Sequence, residues 1–159
     1  MTPQTSSSTF TPTPDDLMLI VVGADLRSEL TDRMLGYRLR EQILHWQDQR
    51  KCPDPLLPVV CTDLWYLSQE ELLSRPTLTI GDPESNAATA LLADRLPTTF
   101  LIDETLQVLF DQTFSILQGC LWGINHATTA SAVDLFIERY LDDYLRASHG
   151  LEESPESES

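Results

Sequence analysis

One stretch narrows the folds open to this chain more than any other: Gly119–Leu145, GCLWGINHATTASAVDLFIERYLDDYL. Cys120–Trp122 is a short apolar run, Gly123 interrupts it, and Asn125–Thr129 is a polar loop rich in helix-capping residue types. Beyond the loop, Ala132, Val133, Phe136, Ile137, Tyr140, Leu141, Tyr144 and Leu145 recur at one- and four-residue steps, with Asp134, Glu138, Arg139, Asp142 and Asp143 between them. That spacing predicts one continuous helix over 129–145, capped by Thr128 or Thr129, with its apolar face against a sheet. A strand that passes through a polar loop into such a helix is the building unit of α/β proteins.

The unit recurs earlier in the chain. Leu17–Val22, LMLIVV, is a continuous apolar run ending at Gly23, as expected of a strand covered on both faces. The loop GADLRSE leads to a helix capped by Ser28 or Thr31, whose apolar positions Met34, Leu35, Leu39, Ile43, Leu44 and Trp46 keep helical spacing until Pro53 forbids it. Pro58–Thr62 and Thr77–Ile80 are further strands. Ser68 to Glu71 has capping-box spacing and predicts a short helix to Ser74; Ala87–Leu96 predicts another. Residues 99–102 and 106–110, separated by Asp103-Glu104-Thr105, read as a hairpin. The fold class expected is α/β: a three-layer, mainly parallel sheet with helices on both faces and one antiparallel hairpin.

Residues 1–14 (Ser/Thr/Pro-rich) and 150–159 (acidic) carry too few apolar side chains to offset the entropy of ordering them, so both are expected to be disordered tails around a single domain over 15–149. The formal net charge is −15, and Arg50-Lys51 is the only adjacent basic pair. A nucleic-acid or anionic-membrane partner needs a basic stripe, so both classes are set aside. No apolar run approaches a membrane span and no signal-peptide pattern follows Met1. Cys52, Cys61 and Cys120 are odd in number and form no CxxC pair, consistent with free thiols in a reducing, cytoplasmic compartment.

Right-handed crossovers place every strand-to-helix loop at the carboxyl edge of a parallel sheet, which is where open sheets bind ligands. The candidate ligand edge is therefore Asp25, Asp63, Asp82, Asn86, Asn125, His126, Thr128 and Thr129. Asp25, Asp63 and Asp82 have the oxygen donors that Mg²⁺ takes; the competing reading is turn and cap chemistry, which the same residue types serve. His126 is the only histidine in such a loop and the only candidate general base. No GxGxxG, GxxxxGK[ST] or GxSxG pattern is present, so no catalytic residue and no cofactor beyond that Mg²⁺ alternative is assigned.

Two segments, TIGDPESNAATALLADRL and WGINHATTASAV, resemble surface-layer-type α/β modules: Gly81, Pro83 and Asn86 match a strand, a Gly-Pro turn and an Asn-opened helix, and Gly123, Thr129 and Ala132 match a strand-Gly-loop-Thr-x-x-Ala helix. The resemblance covers about 60 residues, mostly glycines and capping positions. It implies a structural or adhesive module without an active site. Together these readings favour a non-catalytic protein-interaction or scaffold domain over a small ligand-binding or Mg²⁺-dependent enzyme domain.

Overall fold

The structure is a computed structural model and describes residues 11–151; most of both expected tails lies outside the described residues. Its elements are β1 (Leu17–Val22), α1 (Arg33–Gln49), β2 (Leu57–Thr62), α2 (Asp63–Leu67), β3 (Thr77–Ile80), α3 (Ala87–Ala93), β4 (Thr98–Ile102), β5 (Leu106–Phe110), β6 (Gln118–Gly123), α4 (His126–Arg139) and α5 (Leu141–Ser148). The six strands form one sheet in the order β2-β1-β3-β6-β5-β4. β1 pairs in parallel with β2 and β3, and β3 with β6. β5 runs antiparallel to both of its neighbours, so the expected β4–β5 hairpin is joined by a second antiparallel pairing, β5–β6.

The apolar run of β1 is continuous because both of its faces are covered. Met18, Ile20 and Val22 pack into a cluster with Leu35, Leu39 and Ile43 of α1 and Val133 and Phe136 of α4. Leu19 and Val21 point the other way, to Tyr66, Leu72 and Ala88. Each of these strand side chains is fully buried, stabilising the fold by roughly 1.5–3 kcal/mol apiece.

Three local expectations need correction. The helix expected over 129–145 is two helices, broken at Tyr140, whose backbone (φ −126°, ψ −18°) leaves the α region. No proline or glycine causes the break. It falls where the Tyr140 ring turns edge-on to Phe110, 4.9 Å away, within a group that includes Phe136 and Tyr144. The first turn of α4 starts at His126 and is capped by Asn125 in a capping box with Thr128, so Thr129 is already inside the helix. The short helix expected from Ser68 lies instead at Asp63–Leu67, capped by the Thr62 hydroxyl accepting from Trp65 N; only one 3₁₀ turn, Glu70–Leu72, follows.

Ahead of α1, Ser28–Asp32 forms a π-helical segment that runs straight into the helix. Such bulges concentrate at functional sites. Here the bulge turns both Ser28 and Asp32 inward, to 1% and 8% exposure.

Candidate functional site

β1 sends its connection toward β2, whereas β3 sends its connection the opposite way, so the crevice between their carboxyl ends is the topological switch point of the sheet. Of the expected residues, Asp25, Asp82 and Asn86 stand there, and their side chains are engaged by the surrounding backbone. Asn86 is completely buried and uses its full hydrogen-bonding capacity. Its Nδ2 donates to Val21 O (3.0 Å) and Ile80 O (2.9 Å), and its Oδ1 accepts from Ala88 N (3.0 Å) and Thr89 N (3.2 Å). One side chain thus staples two strands and caps α3.

The loops press together around that staple. A Cβ on Gly23 would stand 2.2 Å from Ser85 O and 2.6 Å from the Ser28 hydroxyl, so no other residue fits there. Gly81 has φ +116° and lies against the Asp32 carboxylate, 3.0 Å from where its own Cβ would be. Where a Rossmann-type sheet opens a crevice for a ligand, this one is filled by protein.

The other expected residues are likewise engaged. Asp63 is buried, and its two oxygens accept from Leu64 N and Ala87 N, both at 2.7 Å, which ties the end of β2 to the start of α3. Asp25 caps Ser28 N (2.7 Å), and Asp82 accepts from Glu84 N and Ser85 N. Asn125 and Thr128 satisfy each other's backbone N–H groups, and the Thr129 hydroxyl accepts from Gly123 N (3.0 Å). Thr89 does the matching work one strand over, donating to Gly81 O at 2.8 Å. Among the described residues no group of three or more His, Cys, Asp or Glu side chains is placed to hold a metal ion, so the Asp25–Asp63–Asp82 alternative for Mg²⁺ is not carried forward. His126 is exposed at the first position of α4.

An acid outside the strand-to-helix loops, Asp32, also stands at this edge with a perturbed carboxyl. Asp32 has its carboxyl pushed above the usual carboxylate range by burial, which outweighs the opposing pull of Arg27, His126 and a hydrogen bond from Thr31; Asp25 adds to the rise. The Thr31 contact is long, at 3.4 Å. Asp32 was legible in principle: with Leu35, Leu39, Ile43 and Trp46 it continues the inward face of α1, the one acid on that face.

Two of the three thiols are buried and poorly suited to act as nucleophiles. Burial pushes Cys61 up to about 12 and Cys120 up to about 11, the reverse of an activated cysteine.

The roomiest hollow described lies at the opposite, amino edge of the sheet, about 660 Å³ between the Pro14–Asp16 turn, α1, the loop before β2 and the end of α5. Hydrogen bonds tie the elements around it together. Gln47 pairs through both amide atoms with the backbone of Leu56, and the His149 ring bridges Gln47 Oε1 and Leu145 O. Asp142 fastens α5 to α1 by accepting from Trp46 Nε1, Arg50 and Arg146, each at 2.8 Å. Partial burial works to raise the Asp142 pKa, but these donors outweigh it and hold the carboxyl below its usual range.

No helix among the described residues is long and apolar enough to cross a membrane. Compared with known protein families, curated proteins and solved structures, the chain matches none.

Proposed function

We propose that this chain is a non-catalytic protein-interaction domain that works in the cytoplasm. The observation that carries the reading is a row of apolar side chains on the outer surface of the helical turn before Ser28, the π-helical segment and α1: Leu26, Leu30, Met34 and Tyr37, exposed by 76%, 67%, 62% and 41%. They follow one another at four, four and three residues, the spacing of a helix face that docks in a groove or against another helix. Isolated exposed leucines need no explanation, but a continuous row of large ones marks a contact surface. The packed switch-point crevice supports the same reading, because the loop contacts at Gly23 and Gly81 occupy the place where sheets of this kind bind ligands. The resemblance to structural and adhesive surface-layer-type modules points the same way. Three unpaired cysteines suit a reducing compartment, and the acidity of the chain argues against nucleic acid as the partner.

The test is quantitative affinity purification from the source cells with the wild-type chain and with Leu30→Glu/Met34→Glu. Both positions are solvent-facing, so the variant should keep its circular-dichroism spectrum and melting temperature. Proteins enriched by the wild type and lost by the variant support the proposal; enrichment of the same set by both refutes it. The alternative, a small ligand-binding domain at the carboxyl edge, draws on Asp32 alone. It would be favoured if Asp32→Asn abolished a cellular function that Leu30→Glu/Met34→Glu left intact.

A further inference from the structure

We infer that the end of α5 is held by a proton-operated latch: His149, as the imidazolium, bridges α5 to the buried Gln47 of α1 and through it to the loop before β2, and the bridge breaks when that proton leaves. The latch stands apart from the Leu26–Leu30–Met34 row and does not depend on the role given to it.

Donors and acceptors around the ring fix its charge. His149 Nδ1 stands 2.7 Å from Leu145 O, and His149 Nε2 stands 2.6 Å from Gln47 Oε1. Both partners are oxygens that can only accept. The Gln47 amide is oriented by Leu56, whose N–H donates to Gln47 Oε1 at 2.7 Å and whose carbonyl accepts from Gln47 Nε2 at 3.0 Å, so the atom facing the ring is the oxygen. Each oxygen has two lone pairs. Leu145 O spends one on the His149 backbone N–H at 3.0 Å and Gln47 Oε1 spends one on Leu56 N–H, which leaves one of each for the ring. A neutral imidazole carries a single N–H, so either tautomer would set a bare nitrogen lone pair against an oxygen at hydrogen-bond distance. Only the imidazolium donates to both, and distances this short are those of charge-assisted bonds.

The charges on the surrounding elements agree. His149 is the C-cap of α5, where the last free carbonyls of the helix favour a cation. Asp15 and Asp16 of the turn before β1 and Asp54 of the loop before β2 line the same hollow, and none of the three joins an ion pair among the described residues. From α1 the Trp46 ring leans on the imidazole, with centroids 5.4 Å apart. The guanidiniums nearby are occupied: Arg50 and Arg146 pair with Asp142, and Arg75 donates to the carbonyls of Asp15 and Leu17.

Most of α5 does not rely on the latch. Leu141, Tyr144 and Leu145 are buried, and the Tyr144 hydroxyl donates to Leu117 O at 3.0 Å. What depends on the His149 bridge is the last turn of the helix and its hold on Gln47, one wall of the hollow of about 660 Å³. Histidine changes charge between about pH 5 and 8. The stability that the bridge adds is therefore present on the acid side of that range and is lost as pH rises, and the hollow opens beside α5 as the last turn separates from Gln47.

The full chain and His149→Ala are compared by thermal melting from about pH 5 to pH 8, and the ¹⁵N-labelled wild type is followed by NMR over the same range. Wild type should melt about 5 °C above the variant at the acid end, and this advantage should shrink as pH rises. Groups that titrate alike in both proteins cancel in the difference. The Gln47 side-chain amide and the Leu56 amide should shift with the same midpoint as the His149 ring nitrogens. An advantage that is independent of pH or grows with it overturns the latch, as does a Gln47 amide that stays still while His149 loses its proton.

Discussion

Asn86→Ala is the sharpest perturbation available in this molecule. Removing the carboxamide leaves Val21 O and Ile80 O without its two hydrogen bonds, in a place water does not reach, and deletes the acceptor for Ala88 N and Thr89 N. A buried acceptor left unsatisfied costs about 1–3 kcal/mol, and a lost N-cap about 1 kcal/mol, so the variant should be destabilised by roughly 3–6 kcal/mol. That is a large part of the total stability expected of a single domain, about 5–15 kcal/mol. Urea unfolding followed by tryptophan fluorescence measures it. With a denaturant slope of about 2 kcal/mol/M, the midpoint should fall by roughly 1.5–3 M. The isosteric Asn86→Asp separates stapling from mere filling of space. It keeps the cap acceptor but turns lone pairs toward the two carbonyls. A carboxyl there would have its folded pKa raised above the unfolded value near 3.9. Its penalty is therefore absent below that value and grows as pH rises through the folded pKa. Asn86→Asp should be markedly less stable at pH 7 than at pH 4 when each is referred to wild type at the same pH. A loss below about 1 kcal/mol for Asn86→Ala, the size of a simple exposed cap, or a pH dependence of opposite sign, would refute the staple.

Asp32→Asn should act in the other direction. Burial holds the Asp32 pKa above its unfolded value, so the ionised carboxylate costs stability above the folded pKa and nothing below the unfolded one. The variant should melt higher than wild type at pH 7, with the gain vanishing under acid conditions; a lower melting temperature at pH 7 would show that the charge is needed for folding. Phe136→Ala, at a fully buried position within 6 Å of the Phe110 and Tyr144 rings (5.9 and 5.7 Å), should cost about 3–5 kcal/mol in denaturant melts, and a loss under about 1 kcal/mol would contradict its place in the core. In the native protein at pH 8, a thiol reagent should label Cys52, which is half-buried, well before Cys61 and Cys120, both buried with raised pKa values. Equal labelling rates for all three would refute this order.

Much of the fold was legible because the signals were local and repeated. The double-sided burial of β1 is written in LMLIVV, since a strand covered on both faces reads as a near-continuous apolar run. The β4–β5 hairpin is written in two apolar runs with three residues between them. Boundaries were less legible where two capping signals compete. Thr62 and Ser68 both precede helix-compatible residues, and Thr62 prevails because Asp63 can also reach Ala87 N, a partner 24 positions away. The break at Tyr140 was invisible because the apolar face continues unbroken through it; it falls where the Tyr140 ring meets Phe110, a residue 30 positions earlier in the chain.

The candidate edge shows the same division. From the order of strands, glycines and polar loops alone, the chain determines that Asp25, Asp63, Asn86 and Thr129 stand at the carboxyl ends of the strands. Whether those residues face a ligand or one another depends on how far apart the loops stand, and that distance is set by contacts between residues remote in the chain. Gly23 meeting Ser85, Asn86 reaching Val21, and Gly81 lying against Asp32 closed the crevice. The same contacts buried a carboxylate that local pattern reading treats as an ordinary helix residue. Periodicity reports which face of an element is turned inward. It carries no information about the neighbour on that face, because hydrogen-bond satisfaction and desolvation are properties of the assembled pair.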